Sequence, residues 1–191
     1  MTRRIDAIES ARRAAKSARR ALSPDYRLTA SNTIADRVVR MHEFTACEKL
    51  ACYLPMPDEV DATAVIARAW RMKKQVYAPV IDRHGGMVFV RLHADTKLTR
   101  NWYGLWEPES GAQISARDID LVITPVVAFD KHRHRIGMGS AYFDRCFAFL
   151  RHKKHWRRPK LVGLAFNCQQ VEKIKPNPWD IPLYRVITEH L

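Results

Sequence analysis

Apolar residues recur along this chain with two different periods, which predict helices and strands in alternation. Within residues 2–22 the apolar positions are spaced by three and four residues, as on one face of an amphipathic helix: Ile5, Ile8, Ala11, Ala15, Ala18 and Leu22. A second helix is predicted from Ser23-Pro24-Asp25 to about Met41, because serine caps a helix start and proline fits its first position. Residues 2–42 are therefore expected to form helices that pack on the rest of the chain.

Short apolar runs predict strands in the remainder. They cover residues 49–54, 75–80, 87–92, 121–127, 161–166 and 183–188. His84-Gly85-Gly86 marks a turn that would join two of these runs as a hairpin. Further helices are predicted after Asp61, which can cap a helix start, and over residues 142–150. Strands that alternate with helices favour one α/β domain with a mostly parallel sheet covered on both faces.

Composition limits the class of protein. The chain has 191 residues, of which 47% are hydrophobic and 28% charged, as in ordinary globular domains. No apolar run approaches the roughly 20 residues of a membrane helix, and no apolar stretch follows the basic N-terminus as in a secretory signal. The four cysteines, Cys47, Cys52, Cys146 and Cys168, lack zinc-site spacing and are expected to be free thiols. We therefore expect a cytoplasmic protein that makes no membrane contact.

The formal net charge of +13 predicts attraction to polyanions. Nucleic acid is one such partner and a nucleoside triphosphate is another, and charge alone does not distinguish them. The longest polar stretch, residues 151–160 (RHKKHWRRPK), is interpreted as a solvated loop, with contact to an anion or a partner as the alternative. The chain contains no helix-turn-helix, RRM or zinc-finger pattern, which argues against a nucleic-acid-binding protein.

Residues 130–145, DKHRHRIGMGSAYFDR, combine basic side chains, closely spaced glycines and an acid. They follow a predicted strand directly, and ligands of open α/β sheets bind beyond the carboxyl ends of strands. Lys131, Arg133 and Arg135 could neutralise phosphate charge, and Asp144 could hold a divalent metal. Neither a P-loop nor a dinucleotide-binding fingerprint is present. The alternative is a glycine-bearing surface turn with a charged rim.

Acids are also concentrated directly after the first predicted strand, in residues 52–61 (CYLPMPDEVD). Acids are common at helix starts because they complement the helix dipole, and Asp58 and Asp61 are interpreted in this way. Glu59 could instead accept hydrogen bonds from a heterocycle.

Asp180 and two tryptophans are further candidates for a site. Asp180 lies in a proline-rich turn before the last predicted strand, where it could bind a metal or accept hydrogen bonds from its own turn. Trp102 and Trp106 could stack on a flat heterocycle or pack in the core.

Three stretches together resemble the 5-formyltetrahydrofolate cyclo-ligase family, also called methenyltetrahydrofolate synthetases. They are ACYLPMPDEVD, DLVITPVVAFDKHRHRIGMGSAYFDR and GLAFNCQQVEKIKPNPWDIPLYRVIT, and the match covers nearly the whole chain. The resemblance implies a single-domain, three-layer α/β/α sandwich around a mostly parallel sheet. It also implies cyclisation of 5-formyltetrahydrofolate to 5,10-methenyltetrahydrofolate, with Mg²⁺ as cofactor and ATP as co-substrate. We expect such an enzyme to be a monomer.

The resemblance also implies roles for individual residues. The nucleotide-phosphate loop would comprise Arg135, Ile136, Gly137, Met138, Gly139, Ser140, Ala141, Tyr142 and Phe143, assisted by Arg12 from the N-terminal helix. Within this loop Arg135 and Tyr142 are the expected catalytic residues. Folate would contact Leu54, Glu59, Met138 and Tyr142. Magnesium would be held by Asp144 and Asp180.

The chain departs from the family pattern at three positions. Ile8 stands where the family often has lysine, Ala141 where it usually has glycine, and Phe143 where tyrosine is common. A methyl group at position 141 would crowd a phosphate or demand a different backbone dihedral. The alternative to an active enzyme is therefore a family member that binds folate or nucleotide without turnover.

Overall fold

The computed structural model describes residues 2–82, 85–152 and 158–190, so His84 of the predicted turn and half of the 151–160 stretch lie outside the described residues. The helices are α1 (Thr2–Ala21), α2 (Pro24–Val39), α3 (His42–Ala46), α4 (Thr63–Arg71) and α5 (Tyr142–Cys146). The strands are β1 (Lys49–Cys52), β2 (Gln75–Ile81), β3 (Met87–Arg91), β4 (Leu98–Arg100), β5 (Trp106–Pro108), β6 (Gln113–Ile114), β7 (Leu121–Pro125), β8 (Ala128–Phe129), β9 (Arg135–Ile136), β10 (Lys160–Leu164) and β11 (Arg185–Ile187).

Seven of the described strands form one sheet in the order β11-β10-β7-β1-β2-β3-β6. The strands from β11 to β2 run parallel to one another. β3 pairs antiparallel with β2, and β6 pairs antiparallel with β3. The central strands β1, β7 and β10 consist mainly of buried apolar residues, as expected where helices cover both faces of a parallel sheet. The mostly parallel sheet predicted from the sequence is confirmed.

Two apolar cores lie on opposite faces of the sheet and define three layers. On one face, Ile34 of α2 and Val65 of α4 pack with Leu50 of β1. On the other face, Phe147, directly after α5, packs with Phe89 of β3. The α/β/α sandwich is therefore confirmed. No helix among the described residues is long and apolar enough to cross a bilayer.

Helix α1 packs beyond the ends of the strands rather than on the sheet itself. Its apolar side, with Ala15, contacts Ile136 of the short β8–β9 hairpin and Val127 before it. The predicted cap at Ser23 is confirmed, because its hydroxyl accepts a hydrogen bond from the Tyr26 N–H at 3.2 Å. This packing carries the polar side of α1 toward the carboxyl ends of β1 and β7.

Helix lengths differ from the sequence prediction in two places. The second helix ends at Val39 instead of Met41, because Met41 takes an extended conformation and begins α3. The helix predicted over residues 142–150 splits at Phe147 into α5 and a 3₁₀ turn, Ala148–Arg151. The split places the Phe147 ring, which is fully buried, between Phe143 and Phe149.

Candidate active site

A cavity of about 260 Å³ opens beyond the carboxyl ends of β1, β2 and β7. The loop after β1, the segment after β9 and the β4–β5 hairpin form its walls. A second cavity of about 370 Å³ adjoins it and shares Leu54, Met56, Glu59, Leu105 and Trp106. Ligands of parallel α/β sheets bind at this edge, so the position agrees with the sequence prediction.

The loop between β9 and α5 is shaped by two residues in the left-handed region. Gly139 has φ +116°, which favours glycine, and Ala141 has φ +50° and ψ +26°. Ala141 thus takes a conformation that L-residues adopt only at a cost, and it does so at the first residue before α5. Arg12 of α1 supports the loop from behind, because its Nε donates a hydrogen bond to the Gly137 carbonyl at 2.8 Å. Glu9 forms an ion pair with Arg12.

Arg135 is the buried cation of the cavity. Its side chain is 7% exposed, and one Nη donates to Asp144 Oδ1 at 2.7 Å. The other Nη donates to the carbonyl of Ile181, and the Ile181 N–H donates to the same Asp144 oxygen at 3.0 Å. Burial lowers the pKa of Arg135, while the negative charges of Asp144 and Asp180 oppose that shift. The guanidinium is thus held rigidly in a water-poor site, where its charge acts strongly on a bound anion.

Glu59 is the buried carboxylate on the other side of the cavity. Its side chain is 8% exposed, and Oε2 accepts a hydrogen bond from the Met56 N–H at 3.1 Å. Arg19 of α1 places Nη1 3.8 Å from Oε1. Burial raises the pKa of Glu59, and the hydrogen bond from Met56 and the charge of Arg19 counteract this. A fixed carboxylate of this kind can accept hydrogen bonds from ligand N–H groups.

Two tyrosines meet across the mouth of the cavity. The hydroxyls of Tyr103, in the β4–β5 turn, and Tyr142, at the start of α5, are hydrogen-bonded at 2.9 Å. This hydrogen bond raises the pKa of Tyr142 and lowers that of Tyr103. Arg145 lies 4.8 Å from the centre of the Tyr142 ring. The contact connects the β4–β5 hairpin with the loop before α5.

Most residues predicted for the site lie together in the cavity wall. They are Leu54, Glu59, Arg135, Gly137, Met138, Ser140, Ala141, Tyr142, Phe143 and Asp144. Arg12 and Gly139 lie behind them on the α1 side. The side chain of Ile136 is buried in the core against α1, so it can present only its backbone to a ligand. Of the basic residues in the DKHRHR stretch, Lys131 and Arg133 are exposed and lie outside the wall.

The acids of the other segments serve different purposes. Asp61 Oδ1 accepts from the Thr63 N–H at 2.9 Å, so this acid lies at the start of α4 as predicted, although the capping position itself is Ala62 and not Asp61. Asp58 was expected to act in the same way but instead binds two arginines of α1. Asp180 lies outside the cavity wall, and its Oδ2 accepts from the Asn177 N–H at 2.7 Å within its own turn, while its charge also acts on Arg135. This geometry leaves open both alternatives raised by the sequence for Asp180.

Trp106 and three further residues add to the site. Trp106 lines the cavity, and Trp102 and Trp106 are 60% and 44% exposed, so neither tryptophan packs in the core, which was one of the alternatives raised by the sequence. Asn101 and Tyr103 also line the cavity, and the sequence analysis missed them because no strand was predicted near them. Arg19 was missed because the helical period of α1 assigned arginines to the solvent side. The N-W-Y-G motif at residues 101–104, which contains two aromatic residues and a glycine, could have predicted the turn of the β4–β5 hairpin.

Comparison with known proteins identifies the family. The chain matches the sequence model of the 5-formyltetrahydrofolate cyclo-ligase family over residues 5–189. The 5-formyltetrahydrofolate cyclo-ligase of Escherichia coli (strain K12) is 33% identical over 178 residues, which cover 89% of this chain and 93% of that protein. The 5-formyltetrahydrofolate cyclo-ligase of Haemophilus influenzae is 32% identical over 165 residues, covering 83% and 84%.

A solved structure agrees with these sequence relatives. The NMR structure of Aquifex aeolicus 5,10-methenyltetrahydrofolate synthetase matches with a TM-score of 0.81 and 27% identity, covering 95% of this chain and 89% of that chain. Fold and sequence therefore lead to the same conclusion, and the ligase class expected from the sequence is confirmed. This chain belongs to the 5-formyltetrahydrofolate cyclo-ligase family.

Proposed function

We propose that this protein catalyses the ATP- and magnesium-dependent cyclisation of 5-formyltetrahydrofolate to 5,10-methenyltetrahydrofolate, with release of ADP and phosphate. The observation that carries the proposal is a single cavity with a buried cation, Arg135, and a buried carboxylate, Glu59, in its walls. A cation can bind the transferred phosphoryl group, while a carboxylate can bind the N–H groups of a pterin. Both substrates would thus meet in one space.

The chemistry has two steps in this proposal. The formyl oxygen attacks the γ-phosphorus of ATP, ADP leaves, and the formyl carbon becomes an imidate phosphate. The neighbouring amine nitrogen then attacks that carbon, loses its proton, and phosphate leaves as the ring closes. Neither step needs a nucleophilic side chain, because phosphoryl transfer depends mainly on positioning and on neutralising charge.

Arg135 and the loop after it would act on the phosphoryl group. Arg135 is fixed by Asp144 and by the Ile181 carbonyl, so it needs no reorganisation when charge develops on the phosphoryl oxygens. Arg12 holds the Gly137 carbonyl and thereby maintains the backbone of the loop. We assign Tyr142 and Met138 to the boundary between nucleotide and folate, because both lie in the wall of the cavity.

Leu54 and Glu59 would bind the folate from the side of β1. Glu59 keeps one oxygen on the Met56 N–H, which leaves the other for pterin donors. Trp106 lines both cavities, and its partly exposed ring offers a flat surface for stacking. These contacts orient the formyl group toward Arg135.

Asp144 and Asp180 are the residues that would hold magnesium. Mg²⁺ is usually bound by only one or two protein carboxylates, together with phosphate oxygens and water. The described residues accordingly fit the ion although they contain no cluster of three or more metal-binding side chains. The hydrogen bonds of Asp144 to described residues use Oδ1, which leaves Oδ2 for a cation. When bound with ATP, the ion would neutralise phosphate charge.

The conformation of Ala141 supports an active enzyme over a member without turnover. The sequence raised that alternative because a methyl group replaces the usual glycine. With φ +50° the residue takes a conformation that glycine favours, so the loop keeps a glycine-like path despite the methyl group. We further propose a cytoplasmic monomer with one domain, and the four free cysteines agree with a reducing compartment.

Replacement of Asp144 tests the proposal. Asp144→Asn keeps the shape of the side chain but removes the charge that positions Arg135 and would face magnesium. We expect kcat/KM for ATP to fall at least about tenfold, with a higher magnesium requirement. Asp118→Asn, which changes an exposed acid in the 3₁₀ turn Ala116–Asp118, is the matched control. An unchanged magnesium dependence in Asp144→Asn would remove Asp144 from the site.

A further inference from the structure

Arg19 is a buried arginine at the last turn of α1, and it lies against the loop that carries Glu59. The residue is 2% exposed. Its Nη2 donates to Asp58 Oδ2 at 2.9 Å, and Nη1 lies 3.8 Å from Glu59 Oε1. Its Nε is buried without a hydrogen-bond partner among the described residues. An unsatisfied buried donor is unfavourable for stability, so stability alone does not account for this arrangement.

The neighbouring Arg20 forms an ordinary exposed ion pair at this position. Its side chain is 70% exposed, and its Nε lies 3.3 Å from the same oxygen of Asp58. Asp58 would therefore keep a cationic partner without Arg19. What distinguishes Arg19 from Arg20 is burial and proximity to Glu59.

Glu59 stands among several charged or titratable groups. Lys16 and Arg19 face it from α1, while Asp58 and Tyr53 face it from its own loop. Asp61 and Arg100 lie with it in the wall of the second cavity. Burial favours the protonated form of a carboxylate, and a nearby like charge does the same. Arg19 is the buried cation that opposes both effects at Glu59.

We propose that Arg19 is a positioning residue that keeps Glu59 ionised and directed into the cavity, so that Glu59 can accept hydrogen bonds from the folate. The proposal rests on the proposed function, since it assumes that Glu59 binds 5-formyltetrahydrofolate. Arg19 itself does not line either cavity. Its effect on the substrate therefore passes through Glu59.

Arg19→Met tests this role, with Arg20→Met as the matched control. In Arg19→Met the pKa of Glu59 rises, which carboxyl NMR shows without any substrate. The KM for 5-formyltetrahydrofolate rises about tenfold, as for a lost charged hydrogen bond. The KM for ATP stays unchanged, and the folate defect shrinks as the pH is raised, because Glu59 becomes ionised again. Arg20→Met leaves the pKa of Glu59 and both KM values unchanged.

If Arg19 served only to hold α1 against the loop after β1, the KM values of Arg19→Met would show a different pattern. Loss of such a contact would displace α1 and with it Arg12, so both KM values would rise together and a higher pH would not restore folate binding. That result overturns the proposal. Asp58→Asn provides a second test if Arg19→Met does not fold. It removes the like charge beside Glu59, so the pKa of Glu59 falls and folate binding is retained or strengthened.

Weaker folate binding in Asp58→Asn, with an unchanged pKa of Glu59, would also overturn the proposal. The NMR titration separates it from the proposed function. If the wild-type protein converts no 5-formyltetrahydrofolate, the proposed function fails, while a higher pKa of Glu59 in Arg19→Met still supports the role of Arg19.

Discussion

Ala141→Gly is predicted to stabilise the protein, although glycine usually destabilises. Ala141 has φ +50° and ψ +26°, in the left-handed region where the Cβ of an L-residue crowds the following carbonyl. Glycine takes this conformation without that penalty. The residue is only partly buried, so removal of its methyl group costs little packing.

The change in the free energy of unfolding caused by Ala141→Gly is the difference between two opposing contributions. Relief of the left-handed conformation contributes about 1–2 kcal/mol. The greater conformational freedom of glycine in the unfolded chain offsets roughly 0.5–1 kcal/mol of this stabilisation. The net gain lies between about 0 and 1.5 kcal/mol, and its central value of about 0.75 kcal/mol corresponds to a rise of roughly 1.5–3 °C in Tm for a chain of this size.

Urea and thermal unfolding followed by circular dichroism measure this difference. Ala67→Gly is the matched control, because Ala67 is exposed in the interior of α4. That substitution should destabilise by about 1 kcal/mol. If Ala141→Gly destabilises as much as Ala67→Gly, the left-handed conformation of Ala141 is refuted. The loop between β9 and α5 would then not follow a glycine-like path.

Two further predictions concern the hairpin contact and Glu43, a half-buried acid. Tyr103→Phe should raise the Kd for 5-formyltetrahydrofolate about two- to fivefold, because it removes the hydrogen bond that holds the β4–β5 hairpin to Tyr142. In a protein that already carries Tyr142→Phe, the same substitution should cause no further rise in Kd. Additive effects of the two substitutions in a binding assay would contradict this coupling. Glu43→Gln should lower the free energy of unfolding at pH 7 by about 1–2 kcal/mol, while exposed Glu48→Gln should not. The hydrogen bond from Tyr184 lowers the pKa of Glu43 to about 2, so ionised Glu43 stabilises the fold at any pH above the ordinary pKa of a glutamate. Urea denaturation between pH 5 and pH 2 should therefore show that the difference in the free energy of unfolding between the wild type and Glu43→Gln disappears as the pH falls. A difference that persists at pH 2 would contradict this assignment.

The sheet and the position of the site could be predicted because they depend on local patterns. β7 is a largely apolar, β-branched run, and such runs are typical of central parallel strands. The DKHRHRIGMGSAYFDR segment follows it directly, so its place at the carboxyl edge followed from connectivity alone. The helix cap at Ser23 could also be predicted, because it depends only on the adjacent residues Ser23-Pro24-Asp25.

Other features depend on contacts between distant segments. Strands β4 and β5 are short and mostly exposed, so no apolar period marks them. Arg19 is buried where the loop after β1 brings two carboxylates to it. Ile136 belongs to the predicted phosphate loop by sequence but packs against α1 by tertiary contact. Charge and periodicity carry no information about such partners.

The proposed cyclisation is tested most directly by the absorbance of the methenyl product. The purified protein is mixed with 5-formyltetrahydrofolate, ATP and Mg²⁺, and ADP and phosphate are measured in parallel. If the proposed function is correct, methenyltetrahydrofolate accumulates with one ADP and one phosphate per product, and omission of ATP or magnesium stops its formation. Folded protein that binds 5-formyltetrahydrofolate and ATP but forms no product would instead support a family member without turnover.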